Sequence, residues 1–339
     1  MGYRFEFSNL IGEWDALWSI TRGRQVHMSD SVIDVRGLCK RYPPNITAVD
    51  DISFSIERGR IYSILGPNGA GKTTTVEILE GLRVPTSGEV TVLGSDALRN
   101  YGHIRKKVGV LPQNFEPFDL LTPFEAVKYW SDLFDIPKTR IDIDRLLDEV
   151  GLSDRKKVMS KKLSGGEKRK LGIALSMVND PELLFLDEPT TGLDPKARRD
   201  LWELIEKAKK RGATIVLTTH YLDEVEKLAD DVAIMFNGKI LVSGSPGELV
   251  SRYGSKTSIV LRGVGSAGMR ELSCRGISST EKNGDVTVSV SNPSELRAMF
   301  AKLSSIPIDI EEIYTRRDTL EDVFLNLVGA KMDEGVLQK

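Results

Sequence analysis

Cysteine is scarce in this chain of 339 residues. Cys39 and Cys274 are the only two, too few and too far apart for a disulfide framework or a cysteine-based metal site, which points to a reducing compartment. Long apolar runs are also missing. The best of them, such as Leu183 to Leu186, has the length of a core strand and falls far short of the roughly 18 residues that a spanning helix requires. Any work at a membrane must therefore be borrowed from a partner. Near the N-terminus Arg4, Glu6, Glu13 and Asp15 interrupt each apolar stretch before a secretory h-region can form, so a cytoplasmic protein is expected. An excess of positive charge is lacking too: 47 Lys and Arg against 49 Asp and Glu leave a net charge of −2, which gives no footprint for nucleic acid.

What is present is ordinary for a globular chain, with 40% hydrophobic and 28% charged residues, and the length suggests two domains. The most informative stretch is Gly66-Pro67-Asn68-Gly69-Ala70-Gly71-Lys72-Thr73, which follows the apolar run Ile61 to Leu65 and precedes a helical pattern. In the spacing G-x-x-x-x-G-K-T, glycines let successive backbone N–H groups turn onto phosphate oxygens at a helix N-terminus. Lys72 is placed to reach the β- and γ-phosphates, the Thr73 hydroxyl to ligate Mg²⁺, and Thr74 to serve the α-phosphate. A second apolar strand, Leu183 to Leu186, ends in Asp187-Glu188. Burial on both sides delivers this pair to the carboxyl edge of a sheet, where Asp187 can hold Mg²⁺ through water and Glu188 can polarise the water that attacks the γ-phosphate. Leu163-Ser164-Gly165-Gly166-Glu167 opens a helix with no strand before it and forms a second anion-binding N-terminus.

These three motifs in this order resemble the ATP-binding cassette (ABC) family, with Leu163 to Glu167 matching its signature motif. The resemblance implies an α/β P-loop NTPase of ABC type: a mixed, mainly parallel sheet flanked by helices, a small antiparallel β layer and a helical insertion. It also implies ATP and Mg²⁺ as ligands. Carried over position by position, Tyr42 looks like the aromatic residue that stacks on adenine, and Gln113 like the glutamine that senses Mg²⁺ and the γ-phosphate beside the groove for a membrane partner. Asp194 in Gly192-Leu193-Asp194-Pro195 is similar to the loop residue that crosses to the opposite subunit. His220, at the end of a buried-type strand, looks like the switch histidine at the γ-phosphate. In this family the nucleotide is sandwiched between the phosphate loop of one subunit and Ser164, Gly165, Gly166 and Glu167 of the other. A homodimer or a paired cassette subunit is therefore implied, together with an integral membrane permease and no nucleic acid.

The chain divides into an N-terminal extension (1–30), a nucleotide-binding domain (31–245, with a helical subdomain at about 115–180), a small C-terminal α+β appendage (246–329) and a tail (330–339). The appendage reads as strands 258–262, 286–290 and 308–314 with helices 294–303 and 320–328, and suits a regulatory, dimerising or docking role. Its ending, Arg316-Arg317-Asp318-Thr319-Leu320-Glu321-Asp322-Val323-Phe324-Leu325-Asn326-Leu327-Val328-Gly329, resembles that of drug- and antibiotic-export ATPases of the daunorubicin-resistance type. An alternative reading of the same residues is an amphipathic helix whose Leu320, Val323, Phe324 and Leu327 pack on the appendage. The competing readings of the whole are an importer ATPase and a cassette ATPase acting on ribosomes or nucleic acid. Arg155 to Lys170 holds a basic cluster that reads as a solvated face. In the extension, Trp14 and Trp18 fit one apolar helix face for a membrane or partner, an extension without structure, or residues ahead of a start at Met28.

Overall fold

The computed structural model describes residues 31–335 apart from 98, 100, 138–140, 255–256, 283–284 and 291–292. The expectations for residues 1–30 and for the end of the tail lie outside the described residues. Alternating polar and apolar residues build an antiparallel sheet from β1 (Ser31–Tyr42), β2 (Ile46–Glu57), β4 (Ser87–Val92) and β5 (Ser95–Asp96), in the order β2-β1-β4-β5. Beside it stands a six-stranded sheet of β3 (Ile61–Leu65), β6 (Val108–Leu111), β7 (Leu183–Asp187), β8 (Thr214–Thr219), β9 (Asp231–Phe236) and β10 (Lys239–Gly244), in the order β10-β9-β3-β8-β7-β6. Its pairs are parallel except for β9 with β10. Every residue of β3, β7 and β8 is buried, including Ser63, Asp187 and the threonines of β8, as fits mainly apolar central parallel strands.

One core lies between the two sheets around α1 (Lys72–Leu79), with Ile33, Leu38, Ile56, Val76 and Phe185 inside it. The opposite face of the six-stranded sheet is covered by α3 (Pro123–Leu133), α4 (Ile143–Glu149), α5 (Gly165–Ser176) and α6 (Pro195–Lys210) through a second core. A short α2 (Tyr101–Ile104) precedes β6. The strand C-termini carry Gly66, Gln113, Asp187-Glu188 and His220 to one edge, the edge at which parallel sheets bind ligands.

The basic cluster is largely the solvated face that its composition suggests, with Arg155, Lys157, Lys161 and Lys162 exposed, and Arg169 is the exception. Arg155 pairs with Glu167 at 2.8 Å, Lys156 with Asp144 at 2.7 Å, Lys168 with Glu116 at 2.7 Å and Lys170 with Asp200 at 2.8 Å, while Arg169 is buried. Glu167 lies within the cluster, whereas Glu116 and Asp200 come from segments far along the chain.

After β10, α7 (Leu222–Leu228) of the nucleotide domain and α8 (Pro246–Tyr253) flank the start of the appendage. The appendage runs β11 (Thr257–Arg262), α9 (Ser266–Cys274), β12 (Thr280–Lys282), β13 (Asp285–Val290), α10 (Pro293–Ser304) and β14 (Glu312–Arg317). Its antiparallel order β12-β13-β11-β14 is that of a ferredoxin-like β-α-β-β-α-β unit, with one sheet face packed on the two helices. The final strand begins at Glu312 and not at Ile308. Ile308 and Ile310 fill the helix-side core ahead of it, and their alternation mimicked a strand.

The last helix, α11 (Leu320–Gly335), packs more widely than expected. Leu320 and Val323 are fully buried against Leu249 of α8, at the start of the 246–329 stretch, and also against Leu65, Val225, Val232 and Ile234 of the nucleotide domain. The Leu320 N–H donates to Glu226 Oε1 of α7 at 3.1 Å, and Arg316 of β14 grips Asp322 at 2.6 Å. An amphipathic stripe tells that a face is buried but not what covers it. Leu320→Ala is expected to cost about 2–5 kcal/mol through the cavity it opens in this seam, read as a lower urea midpoint. An unchanged midpoint would place the seam outside the cooperative unit.

Candidate functional site

The phosphate loop leaves β3 at Gly66 and enters α1 at Lys72, and the backbones on either side of it come too close for side chains. A Cβ on Gly71, whose φ is +104°, would fall 2.2 Å from the Ala48 carbonyl oxygen, and one on Gly66 would fall 2.3 Å from that of Met235. Gly69, at φ +81°, faces open space, while Ala70 is packed inside. The loop borders a cavity of about 440 Å³ lined by Tyr42, Asn68, Gly69, Gly71, Lys72, Thr73, Thr74, Gln113 and Glu188, with Ile46, Thr47 and Ala48 of β2.

Lys72 is only 4% exposed. Its Nζ donates to the Gly66 carbonyl at 2.9 Å and to that of Pro67 at 3.3 Å, and lies 3.2 Å from Glu188 Oε1. The other carboxylate oxygen, Oε2, accepts from Thr191 Oγ1 at 3.1 Å and from Gln113 Nε2 at 3.4 Å, with His220 Nδ1 at 3.2 Å. The histidine contact lacks the alignment of a hydrogen bond. Burial pushes the Glu188 carboxyl up, but Lys72, His220 and Thr191 outweigh it and hold the group below its ordinary value. Glu188 also sits at φ +45°, a left-handed backbone that a residue with a Cβ adopts at a cost. Its N–H is anchored to Thr218 Oγ1 at 3.0 Å, which fixes the turn.

Asp187 is governed by burial, which raises its carboxyl above the usual range despite hydroxyl donors from Thr218 and, at 3.4 Å, from Thr73. Thr73, whose hydroxyl lies 3.4 Å from Asp187 Oδ1, and Gln113, which lines the same cavity as Thr73, are with Asp187 oxygen donors of the kind that suits a small hard dication. Tyr42, at the end of β1, has Lys40 Nζ 5.0 Å and the Arg83 guanidinium 5.6 Å from its ring centroid.

The signature residues are placed elsewhere. Ser164 caps α5 in a reciprocal box with Glu167: the Glu167 N–H donates to Ser164 Oγ at 3.2 Å, and Glu167 Oε2 accepts from the Ser164 N–H at 2.8 Å. Burial pushes Glu167 up, but this N–H and Arg155 offset it and leave its carboxyl below the usual range. A Cβ on Gly166 would lie 3.2 Å from that of Ala197, so α5 and α6 begin side by side, while Gly165 is open. Asp194 caps α6 by accepting from the Lys196 and Ala197 N–H groups, both at 2.9 Å. None of Ser164, Gly165, Gly166, Glu167 or Asp194 lines the cavity at the phosphate loop.

Sequence reasoning missed two residues here. Thr218 holds both Asp187 and Glu188, and a threonine inside a wholly buried strand was the available signal. Arg169 reaches the backbone of Pro112, Gln113 and Glu188, and its helical face with Gly172, Ile173 and Ser176 is buried throughout.

Comparison with known proteins accords with this geometry. The family model described as ABC transporter matches residues 49–191. Daunorubicin resistance ATP-binding protein DrrA3 of Streptomyces coeruleorubidus is 34% identical over 308 residues, covering 89% of this chain and 97% of that protein. Nod factor export ATP-binding protein I of Ralstonia nicotianae is 35% identical over 312 residues, covering 90% and 96%. Among solved structures, an ATP-binding subunit of an ABC transporter superposes with a TM-score of 0.60 at 28% identity, covering 66% of this chain and 93% of that one. The cbiO1 protein of Clostridium perfringens, part of the ABC transporter complex cbiONQ, gives a TM-score of 0.60 at 29% identity over 66% and 92%. With relatives at this identity matching along nearly their whole length, the chain belongs to the ABC transporter family, as one of its ATP-binding, ATP-hydrolysing subunits.

Proposed function

We propose that this subunit binds ATP with Mg²⁺ at the Gly66 to Thr74 loop, completes its active site by pairing with a second cassette, and powers export through a separate membrane-spanning partner. The observation that carries the pairing is the split of the motifs: the phosphate loop, Gln113 and Glu188 line one cavity, while Ser164 to Glu167 stand outside it at the capped N-terminus of α5. Tyr42 stacks on the adenine, the loop N–H groups and Lys72 hold the phosphates, and Ser164, Gly165 and Gly166 of the partner cover the γ-phosphate. Thr73, Asp187 and Gln113 would hold Mg²⁺, which supplies charge neutralisation on the phosphates when bound.

Glu188 orients the attacking water and accepts its proton, a task for which its lowered carboxyl is already ionised at neutral pH. His220 is placed to contact the γ-phosphate from the same side. Because Lys72 divides its charge between two carbonyls and Glu188, an incoming γ-phosphate competes with Glu188 for the ammonium and frees that carboxylate to face water. Loss of the γ-phosphate removes the contacts that close the pair, so the output is motion.

The partner surface is supported by exposed apolar side chains in the segment that follows Gln113 and in α3. Phe118 is 52% exposed, Leu120 71%, Tyr129 45% and Leu133 59%, and Phe118 packs edge-on to Tyr129 with ring centroids 5.8 Å apart. No helix among the described residues is long and apolar enough to cross a membrane, so the spanning segments belong to the partner. Export is favoured over import because the likeness to export and resistance subunits extends through the appendage to about nine-tenths of the chain. Affinity capture of the subunit from its native membrane is expected to bring down a protein with several spanning helices. Capture of ribosomes or DNA in its place would overturn the transport reading.

A further inference from the structure

Arg169 is a buried cation 8% exposed, and no carboxylate among the described residues forms an ion pair with it. A charge taken from water needs partners for its donors, and here three carbonyls take three of the five N–H groups: Nη1 donates to Pro112 O at 3.1 Å, and Nη2 donates to Gln113 O at 2.6 Å and Glu188 O at 3.2 Å. Pro112 and Gln113 continue β6, and Glu188 continues β7, its parallel neighbour, in which Leu111 lies opposite Leu186. One guanidinium thus spans the ends of two strands, one bearing Gln113 and the other Glu188.

Arg169 itself belongs to α5, the helix that Ser164 and Glu167 cap. It stands five residues from Ser164, about 7.5 Å along the axis at the helical rise. The reciprocal cap stiffens that first stretch. Just beyond it, α5 approaches β6 as closely as a glycine permits: a Cβ on Gly172 would lie 2.6 Å from Leu111 Cδ1 and 2.9 Å from a Phe115 ring carbon. A tilt of α5 at its N-terminus must therefore be transmitted to the peptide groups of Gln113 and Glu188 or break the fork that joins them. Lysine would not substitute, since its point charge cannot address three carbonyls in a fixed plane.

We infer that Arg169 is a positioning residue that couples the two composite ATP sites: seating of the signature loop on the partner's nucleotide is passed through α5 and the guanidinium to Gln113 and Glu188 beside the chain's own nucleotide. This rests on the paired arrangement proposed above. Each site then senses whether the other is closed, and hydrolysis is cooperative in ATP.

The test compares steady-state ATP hydrolysis by the wild-type protein, Arg169→Gln and Arg169→Lys, alongside binding of a fluorescent ATP analogue and thermal unfolding. In wild type a Hill coefficient above one is expected. In Arg169→Gln it falls to one and kcat drops about tenfold, within the ordinary range of allosteric coupling, while analogue affinity stays within about twofold. Arg169→Lys, which retains the charge and guards against a folding defect in the glutamine variant, shows the same loss of cooperativity with a smaller loss of kcat. Wild-type cooperativity in a folded Arg169→Lys overturns the role of Arg169 alone. A non-cooperative wild type, together with a Glu188→Gln protein that stays monomeric with ATP, overturns the pairing and the coupling at once.

Discussion

Glu188→Gln is expected to lower ATP turnover by on the order of 10²–10⁴-fold, the usual range for a general base, without loss of ATP binding. The amide nearly matches the carboxylate in size and keeps one oxygen, which can accept from either Thr191 or Lys72 but not both, while the turn at φ +45° keeps its backbone anchor to Thr218. It cannot take a proton from water. It also leaves Lys72 without an anionic partner, so the ammonium is committed to the phosphates and affinity is held or raised. With hydrolysis stalled, the closed pair should persist, doubling the apparent mass in size-exclusion chromatography with ATP and Mg²⁺. Phosphate release measured at wild-type rates would remove Glu188 from the chemistry.

Lys72→Ala is expected to fail earlier, losing both binding and turnover. Removal of one well-placed donor to developing negative charge costs on the order of 10²–10³-fold in rate, and here a second loss follows. Burial already pushes the Glu188 carboxyl up, and Lys72 is foremost among the groups that pull it back down. Without Lys72 the Glu188 carboxyl rises from its lowered value, held down only by His220 and Thr191. The stability sign agrees: a depressed carboxyl contributes stability above its unfolded value that is lost as pH falls through its folded value, and the alanine variant forgoes part of that contribution at neutral pH. Titration with a fluorescent nucleotide, paired with phosphate release, separates the two variants: one binds and stalls, the other does neither. Retention of wild-type affinity and turnover by Lys72→Ala would sink the assignment.

What the sequence made legible was what is determined locally. Ile61 to Leu65, the glycines and Lys72 are contiguous, and their order imposes a buried strand, a loop tolerant of positive φ and a helix start. Leu183 to Leu186 could only be a central strand, which carried Asp187 and Glu188 to the right edge. Where contact partners come from far along the chain, reading failed. Arg169 stands among lysines that face ion-pair partners, and only the approach of α5 to the ends of β6 and β7 reveals that it is enclosed. Helix α9 went unread because Gly268 interrupts its pattern, yet that glycine is what admits Val264, whose Cγ1 would stand 2.6 Å from a Cβ there. The stripe on α11 was plain, but its burial against α7 and β9 depends on where the appendage returns the chain.

That return sets an order on how a newly made molecule comes together. Domains generally fold as units as they leave the ribosome, N-terminal parts first. Leu65, Val225, Val232 and Ile234 are synthesised well before the residues that seal them, Leu320 and Val323. A nascent chain therefore passes through a stage in which the phosphate loop can already form while α7, the helix that follows His220, still lacks its outer support and the groove beneath it is open to water. The apolar walls of that groove are covered only when α11 arrives, after the whole of β11 to β14 has been translated.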